Sequence, residues 1–397
     1  MIQVNLAKGK EKPVKHHHSW VFSGAIAKVI GQPANGDLVS VNDFNGQFLA
    51  YGYYNQASKI TVRLLAWSES EIIDEQWWFQ KIVKSIERRK EGIDLNATDS
   101  YRLIFSEADE LPGLIVDKYQ DYLVCQFLTL GIDQRKQIII DALIKILNPK
   151  GIFERSDASA RILEGLTVSS GLLYGSIPAE PILIKENNIH FLVDVNEGQK
   201  SGYFLDQREN RAYLANFAKG KNVLDCFSYS GGFSLYAKNA GAKEVTSVDS
   251  SAAAMASVQE NYQANQIPFA EENLIVADVF QYLREANSAN KHWDMIILDP
   301  PKLAPSRKSL PRAERAYKDL NMQALKLMKE GDLLATFSCS ASVTLEHFKQ
   351  ILAWAAVDAG KELQFIHEFG QPIDHPVRSA FPESYYLKGL LCRVISA

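Results

Sequence analysis

Four aspartates and one cysteine in the second half of the chain have types and spacing that could perform chemistry. Each one ends or follows a short apolar run typical of a buried strand, and the five runs come one after another along the chain. Open α/β sheets bind ligands at the carboxyl ends of their strands. The order therefore predicts one pocket built from five strand ends, which carry Asp225, Asp249, Asp278, Asp299 and Cys339.

A glycine loop follows the first aspartate. The segment Asn222–Ser234 reads as a strand, a short loop that ends in Gly231 and Gly232, and the first turn of a helix. Glycine lets the backbone approach a ligand closely, and the first N–H groups of a helix have no partner within it. A single loop of this kind also fits an ordinary turn that binds nothing, but the ordered strand ends favour a ligand site.

The acids at the second and third strand ends suit a nucleoside. Asp249 follows the strand Val245–Val248 and could accept hydrogen bonds from ribose hydroxyls. Asp278 could accept from the exocyclic amine of adenine, while its neighbours Val279 and Phe280 offer an apolar surface for the ring. The loop lacks the G-x-G-x-x-G pattern that a nicotinamide site prefers, and the chain has no G-K-[ST] sequence of a P-loop.

The first-strand acid, the ribose and adenine acids and an Asp-Pro-Pro loop together resemble class I S-adenosylmethionine-dependent methyltransferases. A closer resemblance is carried by the segments DVNEGQKSGYFLDQR, LDCFSYSGGFSLYA, DPPKLAPSRK, RAYKDLNMQAL and FSCSAS. With them the chain is similar, over nearly its whole length, to one bacterial family of that class, which methylates carbon 5 of cytosine in large-subunit (23S) ribosomal RNA. The resemblance implies a doubly wound, Rossmann-like α/β sheet and S-adenosyl-L-methionine as the cofactor.

The same resemblance implies roles for individual residues. Asp299 is expected between the cofactor and the target base. Leu303 departs from the family pattern, which usually has an aromatic residue there, so base stacking at this position does not follow from the resemblance. The residues expected at the cofactor are Lys200, Phe204, Gln207, Asp225, Phe227, Gly231, Asp249, Asp278 and Asp299.

Cys339 has a suitable position for the nucleophile of such an enzyme. Carbon 5 of cytosine is a poor nucleophile until a thiolate adds to C6 and makes C5 enamine-like. The thiol must ionise close to the base, and Asp299 could hydrogen-bond the base and favour the adduct. By position alone Cys339 could equally be a small buried residue at a strand end. With the family pattern, the sequence predicts Cys339 and Asp299 as catalytic residues.

The other three cysteines predict neither a metal site nor a disulfide. Cys226 is expected to pack in the core or to line the cofactor loop, and Cys125 and Cys392 lie in apolar strand patterns. The cysteines are far apart and form no C-x-x-C pair, which argues against zinc and for a reducing compartment. Many RNA cytosine-C5 methyltransferases carry a second cysteine where this chain has Pro300–Lys302, so the group that resolves the adduct is not identified.

Three segments with different patterns surround these residues in the chain of 397 residues. Residues 1–70 read as short strands separated by turns and resemble a PUA domain, a small RNA-binding β-barrel. Residues 71–185 predict a central α+β domain. Residues 186–397 alternate strands and helices, which predicts the parallel sheet of the methyltransferase domain.

Basic residues occur near the amino terminus and after the Asp-Pro-Pro loop. The net charge of −4 does not by itself indicate nucleic acid. Residues 1–30 carry five lysines and a run of three histidines, and Pro305–Arg315 is also basic. Either segment could be a solvated surface or could contact RNA phosphates. The predicted RNA contacts are Lys15, Arg63, Arg307 and Lys308.

The remaining features bear on location and leave other functions open. No apolar run is long enough to span a membrane, and the amino terminus lacks the apolar core of a signal peptide, so a cytoplasmic protein is expected. One alternative activity is guanine-N7 methylation of ribosomal RNA, whose enzymes have asparagine where this chain has Cys339. A non-catalytic RNA-binding or assembly protein is another. Ribosomal RNA is the expected partner, and a homodimer stays open.

Overall fold

The structure is a computed structural model of the chain that describes residues 2–196, 202–304 and 307–396. It divides into two compact units. The first comprises Met1–Ile184, Val193–Leu205 and Ile373–Ser384, and the second comprises Lys185–Leu192, Asp206–Pro372 and Tyr385–Ala397. Among the helices of the described residues, none is both long and apolar enough to cross a membrane.

A six-stranded sheet forms the amino-terminal part of the first unit. Its elements are β1 (Gln3–Leu6), α1 (Lys12–Lys15), β2 (Trp20–Phe22), β3 (Ile26–Ile30), β4 (Leu38–Asn42), β5 (Phe48–Tyr54) and β6 (Ile60–Ala66). The strand order is β2-β6-β5-β4-β1-β3, and only β1 and β4 pair in parallel. Gly46 has a φ of 85° in the turn between β4 and β5, a left-handed conformation that favours glycine. This turn joins β4 and β5 as a hairpin, in line with the short strands and turns predicted for residues 1–70.

A five-stranded sheet follows in the same unit. Its elements are α2 (Glu75–Lys90), β7 (Ser100–Phe105), β8 (Leu114–Tyr119), β9 (Tyr122–Phe127), α3 (Leu130–Asp133), α4 (Lys136–Leu147), β10 (Gly151–Ser156), α5 (Ala160–Leu163) and β11 (Ser169–Gly175). The order is β11-β10-β9-β8-β7, and only β9 and β10 are parallel. Helix α2 begins after Asp74, whose carboxylate accepts from the N–H of Trp77 at 2.9 Å and so caps the helix.

A two-stranded sheet of β12 (Ile182–Glu186) and β13 (Ile189–Val193) leads into the second unit. The point at which the chain passes between the units, from residue 184 to 185, lies within β12 and next to the predicted domain boundary. The separation of the first unit into a PUA-like domain and a central domain stays a prediction.

The second unit is built on a seven-stranded sheet. Its elements are α6 (Arg208–Ala215), β14 (Asn222–Cys226), α7 (Gly232–Asn239), β15 (Glu244–Asp249), α8 (Ala252–Ala264), β16 (Leu274–Val276), α9 (Val279–Ser288), β17 (Met295–Leu298), α10 (Leu310–Lys326), β18 (Leu333–Ser338), α11 (Leu345–Asp358), β19 (Glu362–Phe369) and β20 (Lys388–Ile395). The order is β16-β15-β14-β17-β18-β20-β19, and β20 runs in the direction opposite to that of the other six strands. The order reverses between β14 and β17, as in a doubly wound sheet, which confirms the predicted α/β fold class.

Both faces of this sheet are buried. Val223 packs in a core with Phe233 of α7, whereas its neighbour Leu224 packs on the opposite face with Leu283 of α9 and Leu320 of α10. Because helices cover both faces, the strands are nearly continuous apolar runs instead of alternating apolar and polar residues. Polar side chains in these segments are therefore concentrated at the strand ends.

Candidate active site

The register of the parallel strands brings the predicted acids to one edge of the sheet. Cys226 at the end of β14 lies opposite Val248 on β15 and Leu298 on β17. Asp249 lies opposite Val276, the last residue of β16. The strand ends are therefore level with one another, and the aspartates that end or follow these strands share the carboxyl edge.

The loop between β14 and α7 has an unusual backbone. The φ angle is 62° at Phe227, 48° at Tyr229 and 77° at Gly231. Residues other than glycine rarely adopt this left-handed conformation, and such conformations concentrate at functional sites. The side-chain amide of Asn261 donates to the carbonyl oxygen of Ser230 at 2.9 Å and so holds the loop from helix α8.

Both glycines of the loop allow close packing. A Cβ atom at Gly231 would lie 3.0 Å from a side-chain carbon of Leu235, and the φ angle there already disfavours any side chain. A Cβ atom at Gly232 would lie 2.5 Å from Nε of Arg211. Arg211 is buried and donates to the carboxylate of Glu186 at 2.8 Å, so it has little freedom to move away. The glycine pair is therefore required by the loop and by the helix packed beside it.

Asp225 is a buried carboxylate with one satisfied oxygen. Its Oδ2 accepts from the backbone N–H of Ser234 at 3.0 Å and from the hydroxyl of Ser234 at 2.6 Å. Among the described residues, its Oδ1 has no hydrogen-bond partner, and neither has the buried Oγ of Ser228. Burial raises the pKa of Asp225 to about 7 against the hydrogen bonds from Ser234, and the charge of Asp299 also raises it. The ammonium group of a bound methionine moiety would supply a donor to Oδ1, so these residues fit S-adenosylmethionine.

Asp249 and Asp278 stand at adjacent strand ends. The Oδ2 atom of Asp249 accepts from the N–H of Tyr229 at 3.1 Å, and its backbone carbonyl accepts from the N–H of Ala277 at 2.9 Å. Asp278 is exposed and caps α9, because its Oδ1 accepts from the N–H of Gln281 at 2.9 Å. A carboxylate oxygen has two lone pairs, so both acids keep capacity for ribose or adenine donors.

One aromatic ring is available beside Asp278. Val279 is 2% exposed and belongs to the core, whereas Phe280 is half-buried. The rings of Phe280 and Phe227 lie edge to face with their centroids 6.3 Å apart. Of the two apolar neighbours that the sequence offered for the adenine ring, only Phe280 keeps accessible surface for it.

A buried amide holds Asp299. The side-chain N–H of Gln207 donates to Oδ2 of Asp299 at 3.0 Å, and Oε1 of Gln207 accepts from Asn210 at 2.6 Å. Asn210 also donates to the carbonyl oxygen of Gly370 at 2.9 Å. Gln207 is 2% exposed. The network fixes the carboxylate of Asp299 at the end of β17, and Gln207 positions it.

Cys339 lies immediately beyond β18, the strand next to that of Asp299. The parallel register pairs Leu298 with Thr336. Asp299 and Cys339, which follow these two strands, therefore lie at the same edge of the sheet. Cys339 is half-buried, whereas the other three cysteines are buried. Burial raises the pKa of each of those three thiols, which keeps them protonated and unreactive: Cys125, Cys226 and Cys392.

The two serines that flank Cys339 fix its loop. The hydroxyl of Ser338 donates to the hydroxyl of Tyr317 on α10 at 2.9 Å, and the hydroxyls of Tyr317 and Ser340 lie 3.3 Å apart. The Oγ atom of Ser340 accepts from the N–H of Ala304 at 3.1 Å. These bonds join the Cys339 loop to the loop that begins with Asp-Pro-Pro and to helix α10.

The hydroxyl of Tyr317 interacts electrostatically with both predicted catalytic residues, Cys339 and Asp299. It is fully buried. Burial raises the pKa of Tyr317, and the charges of Cys339 and Asp299 raise it further, against the hydrogen bonds from the two serines. The thiol and the carboxylate therefore lie close enough to the same hydroxyl for their charges to act on it.

The other predicted cofactor residues are placed as follows. Phe204 belongs to the first compact unit. Lys200 lies outside the described residues. Leu303, the departure from the family pattern, is half-buried and packs against the apolar core of the second unit.

Arg63, one of the predicted RNA contacts, is engaged by two carboxylates. Its guanidinium lies 2.9 Å from Glu107 and 2.9 Å from Glu164, and its side chain is 13% exposed. A guanidinium that two buried carboxylates already neutralise is poorly suited to bind a phosphate. Arg63 is therefore withdrawn as an RNA contact, and it serves the packing of the first unit.

The remaining basic candidates are at the surface. Lys15 and Lys308 are exposed, and the side chain of Arg307 lies outside what the structure describes. The five lysines among residues 1–30 are all exposed: Lys8, Lys10, Lys12, Lys15 and Lys28. RNA contact by these lysines stays a prediction.

Sequence reasoning missed Tyr317 and Lys388. Tyr317 reads as an apolar position of a helix, and its hydroxyl bonds depend on β18. Lys388 stands in the apolar stretch YYLKGLL and is 1% exposed in the structure. A lysine within an apolar strand was the signal that could have found it, because lysine is almost never fully buried unless it is paired.

Comparison with known proteins agrees with this architecture. Residues 4–67 match the model of a PUA-like domain, and residues 168–382 match that of an S-adenosylmethionine-dependent methyltransferase. The chain is 26% identical to a Streptococcus mutans protein described as a SAM-dependent methyltransferase, with a TM-score of 0.85 over 99% of this chain and 100% of the other. A methyltransferase structure complexed with SAH matches with the same TM-score of 0.85 and the same coverage.

Curated relatives span the whole chain. The ribosomal RNA large subunit methyltransferase I of Pseudoalteromonas translucida is 41% identical over 98% of this chain and 99% of its own length. The protein of the same name from Shewanella denitrificans is 42% identical over 99% of both chains. With the glycine loop, the strand-end acids and the doubly wound sheet in place, the chain belongs to the S-adenosylmethionine-dependent methyltransferases, in the same family as these ribosomal RNA large subunit methyltransferases I.

Proposed function

We propose that the protein methylates carbon 5 of a cytosine in large-subunit ribosomal RNA, with Cys339 as the nucleophile. The relatives' names support ribosomal RNA as the substrate. The observation that carries the choice of cytosine is the position of Cys339, a half-buried thiol at the carboxyl edge beside the end of β17. A guanine-N7 or adenine-N6 transfer would leave a thiol at this position without a task.

The side chains suit the steps of this reaction. The thiolate of Cys339 adds to C6, which moves electron density to C5. Carbon 5 then attacks the methyl carbon, the C5–methyl bond forms, and the electron pair of the broken methyl–sulfur bond stays on the departing sulfur. Loss of the C5 proton to water, with its electron pair forming the C5–C6 double bond, and cleavage of the bond from Sγ to C6 restore the aromatic ring and the thiolate. Asp299, fixed by Gln207, would accept a hydrogen bond from the exocyclic N4 amino group of cytosine and so orient the base.

When bound, S-adenosylmethionine supplies a methyl group on a sulfonium. Asp225 would hold its ammonium group, and Asp249 would accept from its ribose. Asp278 and Phe280 would receive the adenine. The order of these residues along the carboxyl edge, from β14 through β15 to β16, matches the order of the groups in the cofactor.

The RNA must present its target base outside the stack. An enzyme that reacts with a base has to extrude it from the stack of neighbouring bases. The exposed lysines near the amino terminus would contact RNA phosphates. The match to a PUA-like domain over residues 4–67 supports RNA binding by this part of the chain.

The test is methyl transfer from labelled S-adenosylmethionine to ribosomal RNA, followed by digestion to nucleosides. The proposal predicts label in 5-methylcytidine, and loss of at least about 1,000-fold in rate for Cys339→Ala, because the uncatalysed C5 is not nucleophilic. Label in 7-methylguanosine, or a Cys339→Ala variant that keeps turnover, would overturn it. Cys392→Ala, a change at a buried cysteine, is the matched control and should keep the activity of a folded enzyme.

A further inference from the structure

Lys388 is a buried lysine at the same edge of the sheet as Cys339. It is the first residue of β20 and pairs with Ser338, the residue before Cys339. Its side chain is 1% exposed, and its Nζ donates to the backbone carbonyl of Ser340, the residue after Cys339, at 2.7 Å. The ammonium group is therefore fixed beside the three-residue segment that carries the thiol.

No carboxylate pairs with Lys388 in the part of the chain that the structure describes. Burying an ammonium group without a carboxylate is unfavourable, and one carbonyl oxygen replaces only part of its hydration. Two charged groups act on it, Cys339 from the loop after β18 and Lys302 from the loop after β17. Of these two groups, the thiol of Cys339 is the one that could carry a compensating negative charge.

The proton on Lys388 is held weakly. Burial lowers the pKa of Lys388 to about 8, Cys339 acts in the opposite direction, and Lys302 lowers it further. An amine with this property exchanges a proton near neutral pH, whereas an ordinary surface lysine does not. Lys388 is therefore an amine that can gain or lose a proton near neutral pH, beside the segment that carries Cys339.

We propose that Lys388 accepts the proton of the Cys339 thiol and holds the resulting thiolate ready to attack C6. This inference rests on the proposed function. The proton moves from Sγ to Nζ, so a neutral thiol and amine become a thiolate and an ammonium without change in net charge. When the bond between Sγ and C6 breaks at the end of the reaction, its electron pair returns to sulfur, again beside the ammonium. Lys388 is a positioning residue, since it acts through Cys339.

The structure also allows a purely mechanical role, in which Lys388 only holds the carbonyl of Ser340. The two roles differ in one property that needs neither RNA nor methyl transfer. A thiolate partner changes the pH at which Cys339 becomes reactive, and a mechanical support does not.

The experiment measures the rate of iodoacetamide alkylation of Cys339 against pH in the full-length protein. Cys339→Ala assigns the signal, because the other three cysteines are buried. In Lys388→Met, we expect the pH of half-maximal rate to rise by at least about one unit, roughly tenfold in thiolate fraction at fixed pH. Lys326→Met, a change at an exposed lysine at the end of α10, should leave it unchanged.

Lys388→Arg keeps the positive charge and the donor to Ser340, so it tests the pair even if Lys388→Met does not fold. Arginine stays charged where an amine is partly neutral, so we expect its half-maximal pH to lie below that of the unaltered protein. Unchanged midpoints in folded Lys388→Met or in Lys388→Arg would overturn the inference. If instead Cys339→Ala keeps methyl transfer, the proposed function fails, while the alkylation shift still decides whether Lys388 controls the thiol.

Discussion

At the scale of the residue, the site depends on charged groups that the fold removes from water. Asp225 and Lys388 are both about 1% exposed, and neither forms an ion pair with another residue of the described chain. Burial is the largest cause that moves both pKa values towards neutrality, to about 7 for Asp225 and about 8 for Lys388. Each is a strong candidate to gain a partner when substrates bind.

Asp225→Asn should weaken binding of S-adenosylmethionine by roughly 10- to 100-fold, the worth of a hydrogen bond between charged groups. The pH dependence has a definite sign. Below a pKa of about 7 the carboxyl group of the ligand-free protein holds a proton, so affinity should fall as the pH drops through 7. Calorimetry between about pH 6 and pH 8 measures both effects.

A matched variant separates this carboxylate from its neighbours. Asp278→Asn changes an exposed carboxylate, and asparagine also caps helices well, so it should lower the affinity less and keep the pH dependence of the unaltered protein. An Asp225→Asn variant with the same affinity profile as the parent would show that the ammonium group binds elsewhere.

At the scale of the element, the loop between β14 and α7 requires glycine at position 231 for two reasons, the backbone conformation and the close packing of neighbouring side chains. Gly231 has a φ of 77°, and a Cβ atom there would meet neighbours at 3.0 Å, whereas Gly241, after α7, has a φ of 90° and would meet its nearest neighbour at 3.7 Å. Both positions disfavour a side chain by conformation, and only Gly231 does so by packing as well.

Gly231→Ala should therefore destabilise the protein more than Gly241→Ala does. The left-handed conformation costs alanine about 1 kcal/mol at either position, and the crowding at Gly231 adds about 1–3 kcal/mol. Urea unfolding of the two variants measures the difference. Equal losses would mean that the loop relaxes around the added methyl group, and that the glycine is not required by the packing against Leu235.

At the scale of the whole molecule, charge is distributed unevenly. The net charge is −4, yet all five lysines of residues 1–30 are exposed. Replacing Lys8, Lys10, Lys12 and Lys15 with glutamine should weaken RNA binding and reduce the slope of its salt dependence by up to about 3.6, since each phosphate contact contributes roughly 0.7–0.9.

The control for this charge change is the same number of exposed lysines in the second unit: Lys219, Lys243, Lys326 and Lys329. Glutamine at those four positions alters the net charge equally. If both quadruple variants lose the same amount of binding, the effect is one of overall charge, and the amino-terminal lysines are not an RNA surface.

The sequence predicts the sheet well because its signals are local. Each strand is a short apolar run with a polar end, so the positions of Asp225, Asp249 and Asp299 follow from pattern alone. The hydrogen bonds that hold the site residues and their loops in place come from residues distant in the chain. Lys388 reaches Ser340 only because β20 pairs antiparallel with β18, and that pairing has no signature in either segment.

The dependence on distant partners also explains why Arg63 is poorly suited to contact RNA. From sequence, an arginine in a strand of alternating polar and apolar residues is predicted to lie at the surface. The partners of Arg63, Glu107 and Glu164, lie 44 and 101 residues further along the chain, so its ion pairs could not be predicted from the local pattern. Their approach is a property of the folded unit. Charge counted along a sequence therefore overstates the charge that a surface presents to RNA.

The central claim, that Cys339 attacks the target base, is tested most directly by trapping the adduct. In ribosomal RNA that contains 5-fluorocytosine, the target base has no C5 proton to lose. With S-adenosylmethionine present, the enzyme and this RNA should form a covalent complex that survives denaturation. Peptide mapping then identifies the residue to which the RNA is attached, which should be Cys339. A stable complex mapped to Cys339 is the result that this account predicts. Methyl transfer to normal RNA without any trapped complex, or a complex mapped to another residue, would contradict it.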